Sequence, residues 1–500
     1  MLLDAREFQQ DAELTATVCI VGAGAAGITL ARALSGVGCS VVLLEAGGER
    51  LEADTQALYE GESVGLPYYR LELSRLRYLG GTTNHWTGWC RPLDPIDFEP
   101  RAWVRDSGWP LSRAELEPYY AKAQAVAELG PHDYSPASWA AREGQAILPL
   151  DPALSISALW QFSTPTQFGV RYREELARAR HVRTILHANV VDLETSANGA
   201  RVTTVRAVTL EGRRITVRPQ TLVLALGAIE NARLLLGGAS GHPGGLGNRH
   251  DVVGRYFMEH PHANLGVLLT SASDQELALY RDVHRCRSAR PPAIRCALAL
   301  PEARVREERL VGFSATLESQ VESPPIGRDL QASVAALARD LQRSRAHTLY
   351  QIFGRIEQVP NRSSRVYLGR ERDPLGMRRV VLDWRLDDQA EGRLRRSIEL
   401  VSAAIGAARL GRVYSFLHAN DPPRPARWPE VIGGHHHMGT TRMGDDPTTS
   451  VVDRDLRVHE MENLYVTGSS VFPTSGFSNP TLTILALTLR LGDHLREVLS

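Results

Sequence analysis

The 500-residue chain has no excess of charge: 57 basic side chains balance 57 acidic ones. That leaves no general attraction to nucleic acid or to an anionic membrane surface. Lysine is almost missing, with Lys122 the single example, so a Schiff-base or lysine-base mechanism would have to rest on that residue. The five cysteines, Cys19, Cys39, Cys90, Cys286 and Cys296, form no CxxC pair, which suggests neither a zinc ribbon nor a disulfide framework. No stretch reaches the ~20 apolar residues needed to span a bilayer. The opening MLLDAREFQQDAELTATV carries acids and no apolar leader core. The expectation is a cytoplasmic protein of two or three structural units, at ~100–200 residues each. Its 43% hydrophobic residues suffice for a large core.

What is present begins at Thr17. TVCIVGAGAAGITLARALSGVGCSVVLLEAGG reads as a buried strand at Val18–Val21, a glycine turn, a helix from about Ala25 to Ser35 and a second strand over Ser40–Leu44. Gly22, Gly24 and Gly27 fit GxGxxG. The first allows a tight turn, the second lets a pyrophosphate reach the backbone, and the third lets helix pack on strand. The helix N-terminus at Ala25 and Ala26 then offers free N–H groups to phosphate. Glu45, followed by Ala46, lies 23 residues after Gly22, where an acid can hold both ribose hydroxyls of an adenosine. The alternative is a glycine-rich turn without a ligand, and the motif alone does not choose between FAD and NAD.

Farther on, LGGTTNHWTGW from Leu79 reads as a loop. Ser112 and Glu115 make a capping box for a helix that follows, and 130–170 looks proline-rich and irregular. Hairpin turns are expected at ANGA and LEGRR, then a buried strand, TLVLALGA, and the helix IENARLLL. Ser363–Glu371 and Arg378–Leu386 alternate like strands with one face on a core. Arg328–His347 has helical apolar spacing, and Glu462–Leu499 reads as strand, loop and long helix.

Four stretches in order, GAGAAG…LLEAGG, LGGTTNHWTGW, LALGAIENARLLL and HHHMGTTRMGDDPTTS…SGFSNPTLTI, resemble the glucose–methanol–choline (GMC) family of FAD oxidoreductases. Within it the TNHWT and FSNPTLT stretches are most similar to bacterial sugar dehydrogenases and pyranose-oxidase-like enzymes. The resemblance implies an α/β fold: a Rossmann-like FAD-binding domain plus an α+β substrate domain built on an antiparallel sheet. Residues 1–110, 182–265 and 430–500 would form the first, and 111–181 and 266–429 the second. FAD is the implied cofactor.

Three consecutive histidines, His435, His436 and His437, pose the central question. In the family, the residue opening an H-x-x-G-T segment sits over the flavin; here that is His436. Its partner just before the last helix is Asn479. Oxidising an alcohol removes a hydroxyl proton and a hydride from the same carbon. A neutral imidazole can take the proton and an amide can hold the developing alkoxide; Asn cannot be a base, so the pair assigns that role to His436. If the stretch were extended, His435 and His437 would share a face and could ligate a metal, but no carboxylate or cysteine lies near in sequence to complete a set. No metal is therefore expected, and the two flanking histidines should pack or hydrogen-bond locally. Pro480 would preorganise the first turn of the last helix, and Asn479–Thr481 would present a positive helix end to the flavin; Asn479 as a plain N-cap is the compatible alternative.

By resemblance, His85 aligns with a histidine that in several relatives is bonded to the flavin 8α-methyl carbon, although many members bind FAD without the bond. Gly80, Gly81, Asn84 and Thr87 would border the cofactor, Thr87 near flavin N5. Val190 or Val191 would contact adenine, Ala228 the cofactor edge, and Gly468 and Ser469 the ribityl–phosphate region; core packing explains each of these three softer assignments equally well. The function implied is FAD-dependent oxidation of an alcohol, with a sugar, glycoside or related polyol preferred and a non-sugar natural-product alcohol as the variant. The electron acceptor would be oxygen, a quinone or a redox carrier. The rivals are an NAD-type dehydrogenase, a lyase or other non-redox enzyme that keeps FAD as structure, and a flavin-binding protein without catalysis. Glu357, Gln358 and Asn361 are polar candidates to meet substrate hydroxyls, with strand-end solvation as the alternative.

Overall fold

A computed structural model of the chain describes residues 1–36, 38–286, 293–319, 348–417 and 431–500. The helix expected over Arg328–His347 lies outside the described residues. Two large sheets and one small one organise the rest.

The first sheet is built on β2 (Ala12–Val21). Its first half alternates in burial, as one covered face requires, and its last residues are buried on both faces. The helix Ala25–Leu34 carries the chain from β2 to β3 (Val41–Leu44), which pairs parallel to it. Beyond β3 lie β7 (Val182–Leu186) and β1 (Leu2–Asp4), both parallel. On the other side of β2 lies β10 (Arg214–Leu224), parallel, followed by the antiparallel β9 (Val202–Val208) and β8 (Asn189–Thr195). The short β19 (Leu464–Val466) pairs parallel to the end of β10. The chain leaves the carboxyl end of β2 toward β3 on one side, and it leaves the neighbouring β10 toward β19 on the other, so the Gly22 turn stands at a switch point, where crevices open in such sheets. The turns expected at ANGA and LEGRR do join β8 to β9 and β9 to β10.

The second sheet is antiparallel. Its order is β18 (Gly411–Ser415), β11 (His262–Thr270), β15 (Thr348–Ile356), β14 (Phe313–Glu318), β13 (Ala293–Ala299), β6 (Ile156–Phe162) and β5 (Trp89–Cys90), with β12 (His284–Arg285) paired to β13. Alternation decides its two faces. Tyr350, Ile352 and Ile356, Phe313 and Leu317, and Ile294 and Leu298 join Leu394, Ile398 and Val401 of the helix Ala390–Ala407 in one apolar cluster. The opposite face carries aromatic and polar side chains, among them Phe353, Arg355 and Trp160, and the last reaches Asn479 just ahead of the final helix. The stretch 130–170, expected to be irregular, supplies β6 and the helix Pro136–Glu143. Ser135 and Pro136 start that helix, and Ala158, Trp160 and Phe162 point to one side of the strand.

A three-stranded sheet joins β4 (Gly61–Gly65) to the hairpin of β16 (Arg365–Arg372) and β17 (Arg378–Trp384). Val366, Val380, Leu382 and Trp384 pack into the same core as β2 and β3. Strand pairing thus crosses the divisions drawn from the sequence: β4 and β5 come from 1–110, yet pair with segments assigned to the other domain. Spacing along the chain cannot show that, because the pairing is long-range. Among the described residues no helix is long and apolar enough to cross a membrane.

Candidate active site

A cavity of about 460 Å³ opens at the carboxyl end of β2 and runs to the His435–His437 segment. Its first stretch is the glycine turn. Gly22 has φ +101°, and a Cβ there would lie 2.7 Å from the Ala225 carbonyl oxygen; a Cβ on Gly27 would lie 1.8 Å from the Gly22 oxygen. Gly24 has nothing within 4 Å of its missing side chain and faces the cavity. Turn, open approach and tight helix packing are therefore divided among the three glycines. Glu45 is buried beside them and fastened by the Ala23 and Gly47 N–H groups at 2.8 and 3.0 Å. Each carboxylate oxygen keeps a lone pair for a ribose hydroxyl. Ala25, Ala26, Ala46, Gly81, His85, Thr87, Ala228, Gly468, Ser469, Pro480 and Thr481 also line this space. A long cavity with an open glycine, an acid and a helix N-terminus at one end fits a dinucleotide.

Several expected contacts lie elsewhere. Asn84 turns inward, its amide donating to the Leu79 carbonyl and accepting from the Gly169 N–H. Gly80 serves a left-handed turn, and its N–H bonds the Ala23 carbonyl. Val190 and Val191 are not on the cavity wall; Val190 pairs with Ala207 within the sheet. Glu357 is buried against Arg101, which donates to it at 2.8 Å, while Gln358 holds the Glu259 N–H and the Trp384 indole at 2.9 Å each. Asn361 binds the Leu386 carbonyl and the Ser363 N–H. These three side chains are spent on the scaffold. Arg77, which sequence reasoning passed over, lines the cavity and is held by Asn189 and Glu230.

The three histidines do not alternate. His435 has φ +57°, so the segment bends there and each ring finds a different partner. The His435 ring stacks on Tyr69 with centroids 4.2 Å apart, and His437 Nε2 lies 2.8 Å from the Tyr68 hydroxyl. Buried Glu259 gathers the backbone N–H groups of Gly434 and His436 at 3.0 and 2.9 Å and accepts the Tyr68 hydroxyl. Burial pushes its carboxyl up to about 7 against the pull of those donors. Among the described residues no cluster of His, Cys, Asp or Glu is arranged to hold a metal.

His436 meets Asn479: Nε2 and the amide nitrogen Nδ2 are 3.2 Å apart. The amide's orientation follows from its other side. The Trp160 indole N–H, which can only donate, lies 3.1 Å from Asn479 Oδ1. Nδ2 is therefore the donor facing His436, and Nε2 must be an unprotonated acceptor. The ring proton is then on Nδ1, which lies 2.8 Å from His260 Nδ1. His260 must accept there, so its own proton is on Nε2, facing the Ser475 carbonyl oxygen at 3.3 Å. A donor-only group at one end and an acceptor-only group at the other give every link the same polarity. Burial, then the neighbouring His260, His262, Arg355 and His435, holds His436 well below the ordinary imidazole range, and burial lowers His260 to about 4. Both rings are neutral near pH 7, with the lone pair of His436 Nε2 on the cavity side.

Asn479 does not cap the last helix. The helix is Thr481–Leu499, Pro480 holds the cap position without a side-chain bond, and the Asn479 amide is committed to Trp160 and His436. Pro480 is one position earlier than expected, within the latitude of helix ends.

Comparison with known proteins decides what this site belongs to. Residues 360–488 match the family model described as GMC oxidoreductase, and residues 17–246 match that described as FAD dependent oxidoreductase. The chain belongs to the GMC oxidoreductase family. This GMC oxidoreductase is an FAD-dependent enzyme that oxidises an alcohol to a carbonyl. It is 27% identical to the 6'''-hydroxyparomomycin C oxidase of Streptomyces lividus, over 95% of this chain and 90% of that protein. It is 25% identical to the fructose dehydrogenase large subunit of Gluconobacter japonicus, over 96% and 97%. Pyridoxine 4-oxidase from Mesorbium loti has the same fold, with TM-score 0.62, 20% identity and coverage of 96% and 99%. The α/β architecture expected from the sequence is thus the observed one.

Proposed function

We propose that this GMC oxidoreductase oxidises a secondary or primary hydroxyl of a sugar, glycoside or related polyol, with His436 as base and Asn479 as the group that holds the oxygen. The observation that carries the reading is the His436–Asn479 pair on the cavity wall, with the imidazole lone pair fixed toward the amide. Bound FAD supplies the two-electron acceptor for the hydride. A substrate oxygen entering between the two side chains takes the hydrogen bond that Asn479 Nδ2 now gives to the imidazole and passes its own proton to His436 Nε2. His260 accepts the Nδ1–H of His436 throughout and keeps the ring from rotating or changing tautomer. Trp160 does the same for the amide of Asn479. The names of the two sequence relatives, which act on fructose and on an aminoglycoside, support the sugar-like class.

His85 is the residue proposed to meet the flavin 8α carbon. It stands exposed on the cavity wall, edge-on to Tyr78 at 6.2 Å between centroids. Acid precipitation of the holoenzyme decides the bond: flavin that stays in the pellet, and is freed by His85→Ala, marks the covalent form. Substrate class is tested by a panel of sugars, glycosides, aminoglycosides and simple alcohols, scored by bleaching of the flavin without oxygen. His436→Ala should keep bound FAD and lose reduction by about 10²–10⁴-fold, the usual worth of a general base. Undiminished reduction in that variant removes the assignment. Reoxidation by oxygen, a quinone or a protein carrier then identifies the acceptor.

A further inference from the structure

The polar face of the antiparallel sheet carries a guanidinium that the chemistry so far leaves unused. Arg355 sits on β15 directly across from His262 of β11, and on the same face as Phe353. Its guanidinium carbon lies 4.8 Å from the centre of the Trp89 ring and 5.3 Å from that of Phe353. Trp89 lines the cavity together with His436 and Asn479. Arg355 thus packs on a ring of the cavity wall and stands across from His262, whose ring centre lies 6.0 Å from that of His436.

Its partners do not neutralise it. Among the described residues Arg355 makes one hydrogen bond, from Nη1 to the Thr316 hydroxyl at 3.1 Å, and no ion pair. The carboxylate within reach of this corner, Glu318, is held by Arg295 at 3.2 Å and by the Thr316 hydroxyl at 2.7 Å. Among the described residues two guanidiniums and one carboxylate meet at this corner, and the carboxylate is paired with Arg295, so Arg355 is left in excess. By contrast, the buried guanidinium of Arg101 has Glu357 to itself. Burial lowers Arg355 to about 10, so it remains charged at neutral pH. A charged, planar fork held against two aromatic rings with donors to spare is suited to an oxyanion, and most of all to a carboxylate, which it can meet through two parallel bonds.

We propose that Arg355 is an anion subsite of the substrate pocket and that the alcohol oxidised carries a carboxylate, as a sugar acid or polyhydroxy acid does. This rests on the reading that an alcohol is oxidised at His436. The same charge would repel a substrate with several ammonium groups, so the inference separates this enzyme from an aminoglycoside oxidase.

The test uses the holoenzyme. Titration with acetate, and separately with neutral acetamide at matched ionic strength, is followed through the visible flavin spectrum. Acetate is expected to perturb the flavin with about tenfold higher affinity than acetamide, and Arg355→Gln to abolish the difference while Arg355→Lys keeps part of it. D-glucuronate should in turn bind about tenfold more tightly than D-glucose. Equal affinity for acetate and acetamide in the unaltered protein overturns the proposal, whether or not the variants fold. Should anion binding hold while no alcohol bleaches the flavin, the oxidation reading falls and the subsite stands. Bleaching by neutral sugars that Arg355→Gln leaves unchanged, with no acetate preference, has the opposite meaning.

Discussion

At the scale of single residues, the site depends on direction as much as on distance. A histidine can donate or accept at either nitrogen, and nothing within GGHHHMGTT says which. The direction comes from Trp160, 319 residues from Asn479, and from His260, 176 residues from His436. Replacing His260 by Leu leaves the His436 Nδ1–H buried without an acceptor, a cost of about 1–3 kcal/mol, and frees the other tautomer, in which Nε2 carries the proton and cannot act as base. His260→Leu should therefore lower kcat with bound FAD and KM little changed. His260→Gln, whose amide can accept from His436 and donate to Ser475, should restore much of the rate. Steady-state kinetics on FAD-loaded protein measures both. Equal losses in the two variants would mean that His260 only fills space.

At the scale of elements, what could be read from the sequence is what a short segment completes by itself. The turn after β2 is such a segment: Gly22, Gly24, Gly27 and Glu45 all lie within one strand–helix–strand unit, and each has the surroundings that its position predicts. The capping box of Ser112 and Glu115 is another, present in the structure on both sides. By contrast, β6 was hidden among prolines, and its value lies in Trp160, which matters only once Asn479 is beside it. Glu357 drew attention as a polar residue near a strand end, yet it lies just past β15 and is buried against Arg101, whereas Arg355, two residues earlier and still within the strand, packs on the Trp89 ring of the cavity wall; alternation gives the side of the strand but not the partner each residue meets. The glycine turn allows a paired prediction. Gly24→Ala meets no atom within 4 Å, so the protein should fold with unchanged apoprotein stability and a reduced flavin-to-protein ratio. Gly27→Ala drives its Cβ into the Gly22 carbonyl, which forces strand and helix apart and should cost several kcal/mol, in the range of severe single substitutions (about 4). Denaturant unfolding of both apoproteins separates the two effects; a Gly27→Ala protein as stable as the parent would refute the packing role.

At the scale of the whole molecule, two buried neighbours make stability depend on pH in opposite directions. His260 is 1% exposed and lowered to about 4, against about 6.5 in an unfolded chain. Between those values the unfolded chain binds a proton that the folded one refuses, so stability is fully present above pH ~6.5 and is lost on acidification at about 1.4 kcal/mol per pH unit. Glu259 is fully buried and raised to about 7, against about 4.3 unfolded. Here the folded chain binds the extra proton, so stability is fully present below pH ~4.3 and is lost as pH rises toward 7. The two residues are adjacent, and their slopes nearly cancel over their shared window. Removing one uncovers the other. Relative to the parent, His260→Gln should gain stability steadily as pH is lowered from 6.5 to 4.5, and Glu259→Gln should gain as it is raised over the same interval. Urea midpoints of FAD-loaded protein at several pH values measure both lines. If the variants trace parallel curves, the charges of this pair are not what tunes the fold around the histidines.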